Sequence, residues 1–266
     1  MRIIVAGKGG VGKTSITAGV SLLLSEMGFR VVALDTDSIP NLALSLGLSV
    51  EEASRITPLV ENKKLVEERT GARPGVGWGL LFSLTPRVDD ILEKYSVKIN
   101  DCLRLVVVGG ISQGGEGCLC PAIALAKAFL IHVLSKLKDY YVIVDSEAGA
   151  EVFGRGLAEC FDLMIAVCEP SVKSMVISRK LIKMAGDIGV KRFAVAVNKV
   201  DDELQARTLY KKVFNGEPYP LFTIPWDREL EEREKRGLSL ASLPRDSRFF
   251  SSLKPLVKYI LRVDTP

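Results

Sequence analysis

The sequence predicts a doubly wound α/β domain built on a mostly parallel sheet. Three observations carry that prediction. Short Val/Ile-rich runs alternate with helix-length segments along most of the 266 residues. Apart from charged residues at their ends and Arg104, these runs are apolar, without the two-residue alternation of a half-exposed strand, as expected of strands covered on both faces. The first run leads straight into a glycine-rich turn that opens a helix.

Composition narrows the class further. With 47% apolar and 26% charged residues the chain is neither disordered nor fibrous. A core of this size needs no covalent staples. No apolar run approaches the ~20 residues of a membrane-spanning helix. Ile3-Ile4-Val5-Ala6 is too short for a signal peptide's apolar region. Five cysteines, an odd number, do not suit a secreted disulfide framework. The expectation is a soluble, cytoplasmic protein. A net charge of +4 without Lys/Arg blocks points to no nucleic-acid partner, and no membrane partner is expected.

Taken in order, strands are expected at residues 2–6, 30–35, 103–108, 141–145, 163–168 and 193–197, each bounded by Gly, Asp, Pro or Asn. Helices are expected at 13–27, 57–69, 121–137, 171–188 and 201–214. No repeat or Pro/Ser linker interrupts the chain, so residues 1–266 read as one domain. Residues 71–100, with Gly75, Gly77 and Gly79 around Trp78, read as an insertion at the sheet edge. A helix around 247–262, apolar at Phe249, Phe250, Leu253, Leu256, Val257, Ile260 and Leu261, is expected to dock on the sheet.

Gly7-Lys8-Gly9-Gly10-Val11-Gly12-Lys13-Thr14 matches the phosphate-loop pattern and stands where that loop belongs, between a strand and a helix. Its glycines let backbone N–H groups wrap an anion, and the helix N-terminus adds a favourable dipole. Lys13 is expected on the terminal phosphates and the Thr14 hydroxyl on Mg²⁺, with Ser15 beside it. A P-loop NTPase follows. Asp35-Thr36-Asp37 and Asp145 end two strands on the same edge and are placed to reach Mg²⁺, although an aspartate there also commonly caps or turns the chain.

The early lysine makes the loop more specific. Gly-Lys-Gly-Gly-Val-Gly-Lys-Thr resembles the deviant Walker A motif of the dimeric ATPases that include Min and Par positioning proteins, arsenite-pump ATPases and nitrogenase iron protein. That resemblance implies that Lys8 reaches a partner subunit's phosphates. It also implies that Asp37 positions the attacking water, and that Asp35 and Asp145 lie in the outer shell of Mg²⁺. Base contacts are expected from Asn198, Lys199 and Pro225.

Further motifs follow in order: 82–90 (FSLTPRVDD), 114–121 (GGEGCLCP), 145–151 (DSEAGAE) and Glu169-Pro170-Ser171. Together they resemble the nickel-insertion accessory ATPases of carbon monoxide dehydrogenase, over nearly the whole chain. The chain departs from that pattern at Ser38, where the family has proline. The resemblance implies a homodimer formed on nucleotide and metal, with carbon monoxide dehydrogenase as client.

Cys118 and Cys120 precede Pro121 at a helix start, where the dipole favours the thiolate that binds metal. Two thiolates fall short of the four ligands of a closed site. His132 stands twelve residues beyond Cys120, or ~18 Å along a helix, and cannot complete it. A twofold-related Cys118/Cys120 pair supplies the missing ligands most simply, for Ni or Zn. Cys102, Cys160 and Cys168 read as buried apolar residues.

Three alternatives stand beside this reading. An iron–sulfur ATP-dependent reductase would take its cysteines from well-separated segments. A membrane or DNA positioning ATPase would use the apolar stripe of the C-terminal helix. A nickel-delivery GTPase is suggested by Asn198-Lys199-Val200-Asp201, which matches the guanine-reading Asn-Lys-x-Asp pattern. Lys8 favours ATP over GTP. The sequence reading is therefore an ATP-hydrolysing, Mg²⁺-dependent nickel chaperone.

Overall fold

The computed structural model describes residues 1–73, 82–110, 120–146 and 155–264. Among them, eight strands form one sheet: β1 (Arg2–Gly7), β2 (Val31–Asp35), β3 (Val97–Lys98), β4 (Leu103–Val107), β5 (Tyr141–Asp145), β6 (Leu163–Cys168), β7 (Phe193–Val200) and β8 (Leu221–Pro225). The order across the sheet is β3-β4-β2-β5-β1-β6-β7-β8, and every pair is parallel except the β3–β4 edge. The fold class matches the expectation.

Helices cover both faces: α1 (Lys13–Glu26), α2 (Leu42–Ser45), α3 (Val50–Ser54), α4 (Lys63–Thr70), α5 (Ile91–Tyr95), α6 (Cys120–Lys136), α7 (Arg155–Ala158), α8 (Val172–Asp187), α9 (Glu203–Phe214), α10 (Arg228–Lys235) and α11 (Arg248–Asp264). The reason for uniformly apolar strands is visible in β1. Ile3 and Val5 enter one core with α1 and α11, while Ile4 and Ala6 enter the other with α4, α6, α8 and α9. A strand with a core on each side has no polar position to spare between its ends.

One helix start and one strand differ most from the sequence reading. The helix expected from 57 begins only at Lys63, because Asn62 caps it with its side chain on Leu65 N. Leu59 and Val60 instead donate their N–H groups to the β4 end, at Val107 and Val108. β8 is an additional strand, and its Pro225 ends the ladder that it makes with β7.

The amphipathic stripe that kept a membrane reading open is occupied. Phe249, Phe250, Leu253, Leu256, Val257 and Ile260 are buried in the core shared with α1. Gly19 on α1 has no side chain where Leu253 and Phe249 approach. Among the described residues no helix is long and apolar enough to cross a membrane.

β1 lies between β5 and β6, with β2 and β4 on one side and β7 and β8 on the other. The chain leaves β1 towards β2 on one side, and later crosses over β1 from β5 to β6 on the other. In a doubly wound sheet that reversal opens a crevice at the carboxyl ends of the strands. The phosphate loop follows β1 there.

Candidate functional site

The loop is shaped by what its neighbours exclude. Gly10 and Gly12 have φ of 82° and 91°, the left-handed region that residues with a Cβ rarely adopt. A Cβ on Gly7 would collide with the Val167 carbonyl of β6, and one on Gly12 with the Asn198 amide of β7. Lys8, Gly9 and Gly10 are exposed and Val11 is buried beneath them.

The helix behind the loop is open at its start. α3, α4, α8, α9 and α10 each carry a side-chain cap, from Ser49, Asn62, Ser171, Asp202 and Asp227. α1 begins after Gly12 with no such cap, which the short α2 and α5 also lack; this leaves the first N–H groups of the long α1 to an anion. Lys13 is only 7% exposed and folds back, its Nζ donating to the Lys8 carbonyl at 3.4 Å. Ser15 Oγ lies 3.4 Å from Glu234 Oε1.

Asp35 and Asp145 stand side by side in register on β2 and β5. Asp35 is fully buried, and its oxygens accept from Asp37 N at 3.1 Å and Leu42 N at 3.0 Å. Burial pushes its carboxyl up to about 6, against those two bonds. Burial pushes Asp145 up to about 7, helped by the Asp35 charge and opposed by a Thr14 hydrogen bond and the Lys13 charge. Thr17 Oγ1 lies 3.4 Å from Asp145 Oδ1. Two adjacent buried carboxyls and the Thr14 hydroxyl beside Asp145 form a hard-oxygen donor set, which fits Mg²⁺. Asp37 is half-buried two residues beyond β2, with Oδ1 accepting from Ile39 N at 3.1 Å.

Beside the loop opens a cavity of about 310 Å³. Gly10, Gly12, Ser15, Asn198, Lys199 and Pro225 line one part of it, so the loop and the expected base-contacting positions meet there. Trp226, Asp227, Leu230, Glu231, Glu234 and Phe249 line the rest; Glu231 and Glu234 are not legible in the sequence because α10, with Leu230 as its one apolar residue, has no apolar periodicity. The one available signal was Pro225-Trp226-Asp227 closing an apolar run. Asp201, the residue that would complete a guanine-reading pattern, lines a separate depression with Glu203, Thr223 and Arg248.

Cys118 lies outside the described residues, as does the side chain of Cys120, which opens α6. Cys168 is buried in β6; Cys102 and Cys160 are half-buried. Among the described residues no group of three or more His, Cys, Asp or Glu side chains converges as a metal site.

The fold, the open helix start and the glycine-shaped loop define a P-loop ATPase. The chain belongs to the CobQ/CobB/MinD/ParA nucleotide binding domain family, whose pattern matches residues 2–240. It is 36% identical over 244 residues to the carbon monoxide dehydrogenase accessory protein CooC of Rhodospirillum rubrum, covering 91% of this chain and 90% of that one. It is 38% identical over 265 residues to an uncharacterized ATP-binding protein of Methanocaldococcus jannaschii, covering 99% and 98%. Among solved structures, the MinD cell division protein of Aquifex aeolicus matches with a TM-score of 0.68 at 20% identity, covering 98% of this chain and 96% of that one. A ParA family ATPase from Chlorobium tepidum matches at 0.69 and 18%, covering 97% and 99%. Those two likenesses are of fold.

Proposed function

We propose that this chain is a cytoplasmic maturation ATPase that hydrolyses ATP and delivers nickel to carbon monoxide dehydrogenase. The observation that carries this reading is the 36% identity to a carbon monoxide dehydrogenase accessory protein along 90% of that protein's length. The Cys118-Leu119-Cys120-Pro121 segment supplies the chemistry that a nickel cargo needs.

The residues of the loop divide the work of phosphoryl transfer. Backbone N–H groups of residues 9–13 and the first turn of α1 receive the phosphates. Lys13 meets charge building on the terminal phosphate, and Lys8 does the same across a dimer. Asp37 holds the attacking water, whose oxygen bonds to the γ-phosphorus as the bond to the β–γ bridging oxygen breaks. Thr14, with Asp35 and Asp145 behind it, would hold Mg²⁺, which would supply positive charge to the phosphates. Lys13 and Asp145, both buried, keep that arrangement away from bulk water.

The cargo is held by Cys118 and Cys120 from each of two chains, a four-thiolate site that exists only in the dimer. Hydrolysis then changes dimer geometry and with it the hold on the metal. The exclusion of Asp201 from the loop-side cavity favours ATP over the guanine-reading alternative. The test is competition of ATP and GTP for the purified protein, followed by nickel transfer to apo carbon monoxide dehydrogenase. ATP-dependent activation of the client is expected; activation indifferent to nucleotide would refute the proposal.

A further inference from the structure

Asn198 and Lys199 lie near the end of β7 beside the cavity, yet their polar atoms reach the phosphate loop. Asn198 Nδ2 donates to the Val11 carbonyl at 2.9 Å. Lys199 Nζ donates to the Gly10 carbonyl at 2.7 Å and pairs with Glu169 Oε1 at 2.8 Å. The same ammonium is 5.9 Å from the Trp226 ring centroid, near the limit of a cation–π contact.

The backbone at Lys199 is unusual in the same place. Its φ is 57°, in the left-handed region, and among the described residues only Asn215 shares that sign without being glycine. A lysine gains nothing intrinsic from that conformation, so its surroundings hold it there. Glu169 directly follows β6 and Lys199 lies in β7, so their pair ties both neighbouring strand ends to Gly10.

Stability alone does not account for this pair. Its side chains are 34% and 40% exposed, and ion pairs at such positions contribute little to folding. The geometry of anion binding gives it a purpose. A loop that turns its N–H groups towards phosphate must turn carbonyls the other way. Two of those carbonyls, on Gly10 and Val11, are met by donors from β7.

We infer that Lys199, held by Glu169, is a positioning residue for polyphosphate binding: it anchors the Gly10 carbonyl and so presets the loop amides before ATP arrives. It acts through the loop and not on the base. This inference rests on the reading of the loop as the ATP site.

The experiment compares ATP with inorganic tripolyphosphate, each with Mg²⁺, in calorimetric titrations of the full-length protein and Lys199→Met. Both affinities should fall by the same factor, about tenfold for one lost charge-assisted hydrogen bond. KM for ATP should rise while kcat at saturation holds, and Lys199→Arg should restore most of the loss. Glu169→Gln should weaken both ligands in the same direction by less. Loss of ATP affinity with tripolyphosphate unaffected would overturn the inference by making Lys199 a base contact. Unchanged affinity for both would overturn it too. Should Lys199→Met fail to fold, unchanged tripolyphosphate binding by Glu169→Gln would be decisive against it. Wild-type protein that bound no ATP would instead overturn the site reading itself.

Discussion

Asp35 and Asp145 are direct partners across the β2–β5 ladder, so two carboxyl groups sit buried side by side at the strand ends beneath the phosphate loop. Strand pairing brings them together, and burial raises both, to about 6 and about 7. A pair so arranged is costly to ionise in the empty protein and suited to a divalent cation.

The first prediction is the pH dependence of that cost. A carboxyl whose pKa is raised on folding binds more protons in the native than in the unfolded state between its two values. Stability is therefore lost as pH climbs, from about 4 to about 6 for Asp35 and from about 4 to about 7 for Asp145. Thermal melts of nucleotide-free protein should show Tm falling across that window. Asp145→Asn should flatten the slope, and Mg²⁺-ATP should raise Tm most at the alkaline end. A wild-type Tm that rises from pH 4 to 7 would contradict the assignment.

Lys8 is exposed and makes no part of the core. Lys8→Ala should leave folding and nucleotide affinity nearly intact while cutting hydrolysis by roughly 10²-fold and abolishing nucleotide-driven dimerisation. Asp37→Asn should bind Mg²⁺-ATP and turn over slowly. Phosphate release assays with sedimentation report both, and a fully active Lys8→Ala protein would remove the cross-subunit role.

Asp227 joins two helices. Its Oδ1 accepts from Glu229 N at 3.0 Å and Leu230 N at 3.3 Å, and its Oδ2 from Phe249 N at 3.0 Å. Asp227→Ala should cost about 2 kcal/mol in urea denaturation, the upper range for a lost cap, and Asp227→Asn should cost less. A change within error for Asp227→Ala would mean that solvent replaces all three bonds.

What the sequence disclosed and what it hid divide along physical lines. β1, β5 and β6 are legible because strands with a core on each face are apolar along their middles, with the charged Arg2 and Asp145 only at their ends. The phosphate loop was legible because Gly10 and Gly12 occupy backbone that only glycine adopts freely. β8 was missed: four of its five residues are only partly buried, and Pro225 ends it like a turn. α10 was missed because it buries no residue; Asp227 and its i,i+4 pairs, Arg228–Glu232, Arg233–Glu229 and Lys235–Glu231, support it instead. The cavity wall that depends on β8 and α10, above all Trp226, was hidden with them. The sequence suggests Asn198 and Lys199 as base contacts, but spacing cannot reveal that their donors turn to Val11 and Gly10.

The remaining cysteines sharpen the metal question. Burial pushes the Cys168 thiol up to about 12 and raises Cys160 as well, so both stay protonated at neutral pH and are poor ligands. The most direct measurement of the account is nickel per chain in anaerobically purified protein, with and without Mg²⁺-ATP. Wild type should hold about one nickel per two chains and run as a dimer, because a closed site needs four ligands and each chain offers two. Cys118→Ser and Cys120→Ser should each lose it, and substitutions at Cys102, Cys160 and Cys168 should not. One nickel per chain, indifferent to Cys118 and Cys120, would contradict the shared site.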